Sequence, residues 1–294
     1  MSSATSGSDE GPATTATASL GKFLRITKNR TLHSQVVKSL TEYLKSHAST
    51  EDSWAAREHL AKALLDEGDF EGAARLVDEL KTRFGAKSQR VGILEGLTLE
   101  AKGDWEAAKT LYEELIKKNW HNALAGKRLA ALKRSRGDLA GAVQQLNVLL
   151  TDNHSDIEVW SELLDVYMTV GSYEQALFCA EELLLSNPHS YLSTCLYGEL
   201  LFTCARATGM ETMKEKWMKD SRAYLSQSLV LKSDQNPRAA WGLLVCVHAK
   251  STSETAEKDK LDIELSKKAA SMLRAMYAKS PMKDLVEPVI SQLS

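Results

Sequence analysis

The chain has 294 residues, 43% of them hydrophobic and 26% charged, with only 5 prolines and a formal net charge of −2. So few prolines leave room for long helices, and a near-neutral balance supplies no global field that would draw the chain to nucleic acid or to an anionic membrane. No apolar run approaches the roughly 18 residues that span a bilayer, and "LLVCV" at 243–247 is typical of the longest.

Taken in chain order, residues 1–27 read as a disordered polar tail. "MSSATSGSDEGPATTATASLG" lacks the apolar core of a signal peptide, and Asp9 and Glu10 without an early Arg argue against a transit peptide. A capping helix is expected over "LHSQVVKSLTEYLKSHA". A motif then recurs as "GDFEGAA", "GDWEAAK", "GDLAGAV" and "GSYEQAL", starting at Gly68, Gly103, Gly137 and Gly171, at spacings of 35, 34 and 34 residues.

Two residues after each Gly stands a large apolar side chain: Phe70, Trp105, Leu139 and Tyr173. Five after it stands alanine, at Ala73, Ala108, Ala142 and Ala176, and twelve after it leucine, at Leu80, Leu115, Leu149 and Leu183. This is the pattern of a helical hairpin. Trp160, Leu163, Leu164 and Tyr167 mark one face of a first helix. The Gly ends that helix, the following Asp or Ser is placed to cap the next, and the alanine sits where the two helices cross most closely. Pro188, after Asn187, stops the second helix.

Trp160, Leu163, Tyr167, Gly171, Tyr173, Ala176 and Pro188 resemble a near-complete tetratricopeptide repeat. That resemblance implies an all-α fold, a right-handed α-solenoid of antiparallel helix pairs with a concave groove. Beyond Pro188 the pattern weakens. "YLSTCLYGELLFTCARA" reads as a first helix, "TGMETMKEKWMKDS" as a long connection and "RAYLSQSLVLKS" as the second helix. "NPRAAWGLLVCVHAK" restarts the cycle, "STSETAEKD" reads as a polar loop, and "KLDIELSKKAASMLRAMYAKS" as the helix that caps the array. One solenoid is therefore expected over residues 28–294.

Chemistry is sparse. The seven histidines show no metal-ligand spacing, and His154 and His189 fall in inter-repeat loops. The carboxylate pairs Glu113 with Glu114 and Glu181 with Glu182 suit solvated helix faces. No phosphate loop or nucleophile elbow occurs, so neither an enzyme, a metal nor a cofactor is expected. Cys179, Cys195, Cys204 and Cys246 lack Cys-x-x-Cys spacing and fit reduced thiols in a helical core, which suggests a chain in the cytosol or facing it.

One basic cluster stands out: Lys127, Arg128, Lys133, Arg134 and Arg136. It is either a solvated helix face or a patch for an acidic segment or lipid headgroups, and without aromatic interleaving RNA is the weaker ligand. Residues ten, six and three before each register Gly are expected to line the groove. They are Ile93, Leu97 and Glu100, then Lys127, Ala131 and Arg134, then Ser161, Asp165 and Met168. This mixed surface suits an extended or helical protein segment better than a small molecule. Repeat proteins that capture chaperone tails carry a Lys and Asn clamp here. In this chain Lys127 is followed by Ala131, and the preceding pair is Ile93 and Leu97, which disfavours that role.

A narrower resemblance rests on "YEQALFCAEELLLSNPHSYL", the connection around Gly209, "YLSQSLVLKS", the "NPRAAWGLL" restart and the polar loop and final helix after it. Together these resemble the family of subunit 2 of the endoplasmic reticulum membrane protein complex, over roughly residues 30–280. The resemblance implies a non-catalytic scaffold at the cytosolic face of that membrane. It would hold cytosolic segments of integral membrane subunits, pair with a soluble companion, and support insertion of tail-anchored and multi-pass proteins. Its partners would be membrane and soluble subunits in one hetero-oligomer, with membrane association only through them and no nucleic acid. The rival expectation is a free cytosolic adaptor or cochaperone binding peptides in the groove; a weaker one is an RNA-processing scaffold.

Overall fold

The computed structural model describes residues 33–47, 50–251 and 260–293, which form fourteen helices and no strand. The expected tail and most of the expected polar loop lie outside the described residues. Two compact units divide at Gln145 and Leu146. The fold class is the expected one, an all-α tetratricopeptide-repeat solenoid of paired antiparallel helices.

In the first unit α1 (His33–Ser46) precedes the pairs α2 (Asp52–Glu67) with α3 (Phe70–Phe84) and α4 (Gln89–Lys102) with α5 (Trp105–Lys118), followed by α6 (Ala123–Ser135). The unit ends within α7 (Leu139–Asp152). The second unit holds α8 (Ile157–Thr169), α9 (Tyr173–Ser186), α10 (Tyr191–Ala207), α11 (Glu211–Leu231), α12 (Pro237–Ser251), α13 (Lys260–Tyr277) and α14 (Lys283–Leu293).

The register residues behave as their chemistry requires. Gly68, Gly103, Gly137 and Gly171 have φ of 87°, 82°, 83° and 74°, left-handed values that end each first helix and that a Cβ would strain. Ala73, Ala108, Ala142 and Ala176 are each 0% exposed, and the four leucines twelve residues after each Gly are buried. The side chains of Asp69, Asp104 and Asp138 accept from the backbone N–H groups of Gly72, Ala107 and Gly141 at 2.8, 3.3 and 2.8 Å. Such caps contribute about 1 kcal/mol each. Ser172 differs from expectation, since its side chain makes no cap bond. The backbone of α9 starts without it, Ala176 N–H donating to the Ser172 carbonyl at 3.0 Å. Between α4 and α5 Gly96 leaves room for the Tyr112 ring, from which a Cβ would stand only 2.4 Å away.

Two expectations beyond Pro188 are corrected. The long connection is only Thr208–Met210, because Glu211–Leu231 is one helix of 21 residues. After Gly209 the segment holds neither Gly nor Pro, and its Met, Lys and Glu residues are good helix formers. Trp217 and Met218 then tie the helix to the apolar cluster of this unit. Likewise α13 does not end the chain of helices, since α14 follows it. Pro288 lies inside α14 and would read as a terminator. Burial of Ile290, with Val286 and Leu293 packed on the same cluster, holds the helix despite it.

Candidate partner-binding faces

In the first unit the expected face on α4 is partly occupied by the fold itself. Ile93 and Leu97 are half-buried, Ile93 against the cluster around Tyr112 and Leu129 and Leu97 against the one around Leu80 and Leu94. Glu100 joins three helices. It accepts from the Tyr112 hydroxyl at 2.6 Å and from Arg128 Nε and Nη2 at 3.2 and 2.5 Å. Burial, then the hydrogen bond to Glu100, pushes the Tyr112 hydroxyl far above its usual range. Burial alone would lower the Arg128 guanidinium, but the paired carboxylate outweighs it and raises the group overall.

On α6 Ala131 is exposed, while Lys127 and Arg134 are half-buried. The basic cluster is therefore not a uniform solvated stripe. Arg128 is paired with Glu100, and Lys133 Nζ donates to the Gly141 carbonyl at 3.5 Å. In the second unit Ser161, Asp165 and Met168 all lie exposed along α8.

His154 and His189 lie in inter-helix turns as expected. The His154 carbonyl accepts from Trp160 Nε1 at 2.7 Å, and its ring stands 3.7 Å from Glu182. All four cysteines are buried thiols outside any disulfide. Burial pushes the Cys179 and Cys195 thiols up to about 12, so neither is a nucleophile at neutral pH. Among the described residues no group of His, Cys, Asp and Glu could hold a metal ion, and no helix is long and apolar enough to cross a membrane.

Sequence pattern missed the polar links between distant helices. Besides the Glu100 junction these are the ion pair of Arg222 with Asp262, with both side chains largely buried, and the bidentate pairing of Arg238 with Glu199 at 2.7 and 2.5 Å. Each partner is separated from the other by about one repeat, and no local periodicity marks such a pair.

Two family models match. The EMC2 TPR-like repeat domain covers residues 84–215, and a tetratricopeptide repeat covers residues 37–88. ER membrane protein complex subunit 2-A of Xenopus laevis is 32% identical over 82% of this chain and 80% of its own length. The chain belongs to the family of ER membrane protein complex subunit 2. Other members of the subunit 2 family agree: that of Dictyostelium discoideum is 32% identical over 58% of this chain and 54% of its own, and that of Saccharomyces cerevisiae 26% over 70% and 71%. Among solved structures, the C-terminal part of a TPR repeat-containing protein from Cytophaga hutchinsonii matches at 13% identity and a TM-score of 0.59, covering 90% of this chain and 97% of its own. Pseudomonas aeruginosa pilF matches at 15% identity and a TM-score of 0.52, covering 81% and 98%. These structural likenesses concern the fold that the subunit 2 family uses.

Proposed function

We propose that this chain is a non-catalytic scaffold of the ER membrane protein complex, at the cytosolic face of the endoplasmic reticulum, and that it supports insertion of tail-anchored and multi-pass membrane proteins. The observation that carries this reading is kinship over 82% of the chain to a subunit named for that complex. The architecture is compatible with it, since stacked helix pairs offer long side-chain faces for extended or helical segments. In the first unit the receiving face is formed by Ile93, Leu97 and Glu100 on α4 with Lys127, Ala131 and Arg134 on α6. In the second unit it is formed by Ser161, Asp165 and Met168 on α8. Cytosolic segments of integral subunits occupy these faces, and attachment to the membrane is through them. Permanent interfaces of this kind commonly bury more than about 2,000 Å².

The test is recovery of the tagged full-length chain from membranes in mild detergent, with mass identification of what accompanies it. A stoichiometric set of integral membrane subunits is the expected result. Recovery from the soluble fraction with chaperones or RNA-binding proteins alone would overturn the scaffold role and leave the fold standing.

A further inference from the structure

The second unit contains a cavity of about 310 Å³ between α7, α8 and α9. Three aromatic residues line it, Trp160, Tyr167 and Phe178, together with Leu163 and Cys179 and with Asn147, Glu174 and Gln175, whose side chains carry the polar groups of the site. The Trp160 and Phe178 rings meet edge to face, centroids 5.8 Å apart at 76°. Trp160 is held by its bond to the His154 carbonyl and is 5% exposed, whereas Phe178 is 53% exposed at the rim. Glu174, Asn147 and Gln175 are exposed, and none of their side chains has a hydrogen bond or ion pair among the described residues.

The stretch of chain that supplies this pocket carries one sign of charge apart from its histidines. From residue 137 to residue 205 the chain carries ten Asp or Glu and no Lys or Arg, although its overall balance is nearly neutral. Glu158, Glu162, Asp165, Glu174 and Glu181 are all exposed on α8 and α9. Such a field raises the local concentration of cations, and aromatic faces beside a carboxylate retain them. The same surface is also apolar in part: Leu185, two turns beyond Phe178 on α9, and Val148, next to Asn147 on α7, are exposed.

We infer that this aromatic and acidic pocket receives an arginine or lysine side chain of a partner polypeptide, flanked by apolar residues that cover Phe178 and Leu185. A guanidinium or ammonium group donates hydrogen bonds to Glu174 and to the amide oxygens of Asn147 and Gln175, while its stem lies against the rings. A quaternary ammonium headgroup has no N–H and gains none of these hydrogen bonds, so the chemistry favours a protein side chain over a choline lipid. A volume of about 310 Å³ is sufficient for one such side chain. That the partner is another subunit of the complex rests on the scaffold reading; the chemistry of the pocket does not.

Two measurements on the full-length chain test this. First, the purified chain is titrated with N-acetyl-arginine amide and with choline chloride while the indole N–H resonance of Trp160 is followed. The arginine derivative shifts it saturably, choline does not, and Glu174→Gln weakens the arginine response by at least about threefold. No response to arginine, an equal response to choline, or no effect of Glu174→Gln overturns the assignment. Second, Phe178 is replaced by p-benzoylphenylalanine, which keeps the ring and adds a photoreactive ketone, and the chain is irradiated in membranes and recovered. The expected adduct is a peptide of a co-purifying subunit with Arg or Lys beside the cross-linked position. An adduct to phosphatidylcholine, to a peptide lacking a basic residue, or no adduct in a chain that does bring its membrane subunits with it, sinks the pocket alone. Absence of all membrane subunits sinks the scaffold reading and with it the identity of the partner, while the arginine titration continues to decide the pocket.

Discussion

The second unit builds the same antiparallel helix pair in two ways. In α8 and α9 the turn is made by Gly171 at φ 74° and the crossing by Ala176, which is fully buried. In α10 and α11 no residue of the turn Thr208–Met210 has a left-handed φ. There the crossing is made by Gly198 on α10 against Leu225 and Ser221 on α11, with Ser228 meeting Tyr191 two turns away, the two serine hydroxyls donating to the carbonyls of Gly198 and Tyr191 at 2.7 Å each. Close packing of two helices needs small residues at the crossing, and either a methyl or a hydroxyl that finds a carbonyl will serve. The first solution is written in neighbouring residues and shows as a motif. The second depends on bonds between residues 23 and 37 positions apart and leaves no repeat to see.

The largest expected effect is at the regular pair. Trp160→Ala removes a nearly buried indole and its bond to the His154 carbonyl, and should cost about 3–5 kcal/mol in denaturant unfolding. A loss under half of that would show that the α8–α9 hairpin does not depend on its motif. Next is Ala142→Leu, which overpacks an equivalent crossing on α7 and should cost about 1–3 kcal/mol; an unchanged melting curve would contradict the close approach there.

At the irregular pair, Ser228→Ala deletes the donor to Tyr191 and the acceptor for Asn236 Nδ2, which reaches it at 3.0 Å. A cost of about 1–2 kcal/mol is expected, and a neutral result in the same unfolding assay would mean that the α10–α11 pair relies on apolar packing alone.

A pH dependence of stability that vanishes near neutral pH concerns the thiols, one in each pair. Burial raises the folded Cys179 and Cys195 thiols from an ordinary 9.0 to about 12. The folded state therefore holds protons that the unfolded chain releases. Their contribution to stability is fully present below pH 9 and is lost as pH rises from 9 toward 12. Unfolding free energy should decline across that window, less steeply when both cysteines are replaced by alanine, and disulfide-exchange reagents should fail to label either thiol of the folded chain at pH 8. Rapid labelling of Cys195 with Cys179 silent would show that the irregular pair opens more readily than the regular one.

The repeat, the all-α class and the family were all legible before any coordinates. Gly68, Gly103, Gly137 and Gly171 with their alanines recur because a left-handed turn and a tight crossing each admit very few residue types. Their requirement is local, so it survives in sequence as spacing. The helical stretch 211–221 was legible in composition yet misread as a connection, since its apolar residues Met213, Trp217 and Met218 are few among many charges. The helix α14 was hidden by Pro288.

Of the face expected on α4, the sequence alone located the helix and its register, but Glu100 is drawn into the fold by Tyr112 and by Arg128, a residue 28 positions away. The pocket beside Trp160 likewise assembles side chains from three helices. Local backbone demands thus determined the hairpins from sequence alone. Only the tertiary structure decided which charged and aromatic side chains meet, because those contacts depend on how successive hairpins stack, and no short-range rule of turn or helix geometry encodes that.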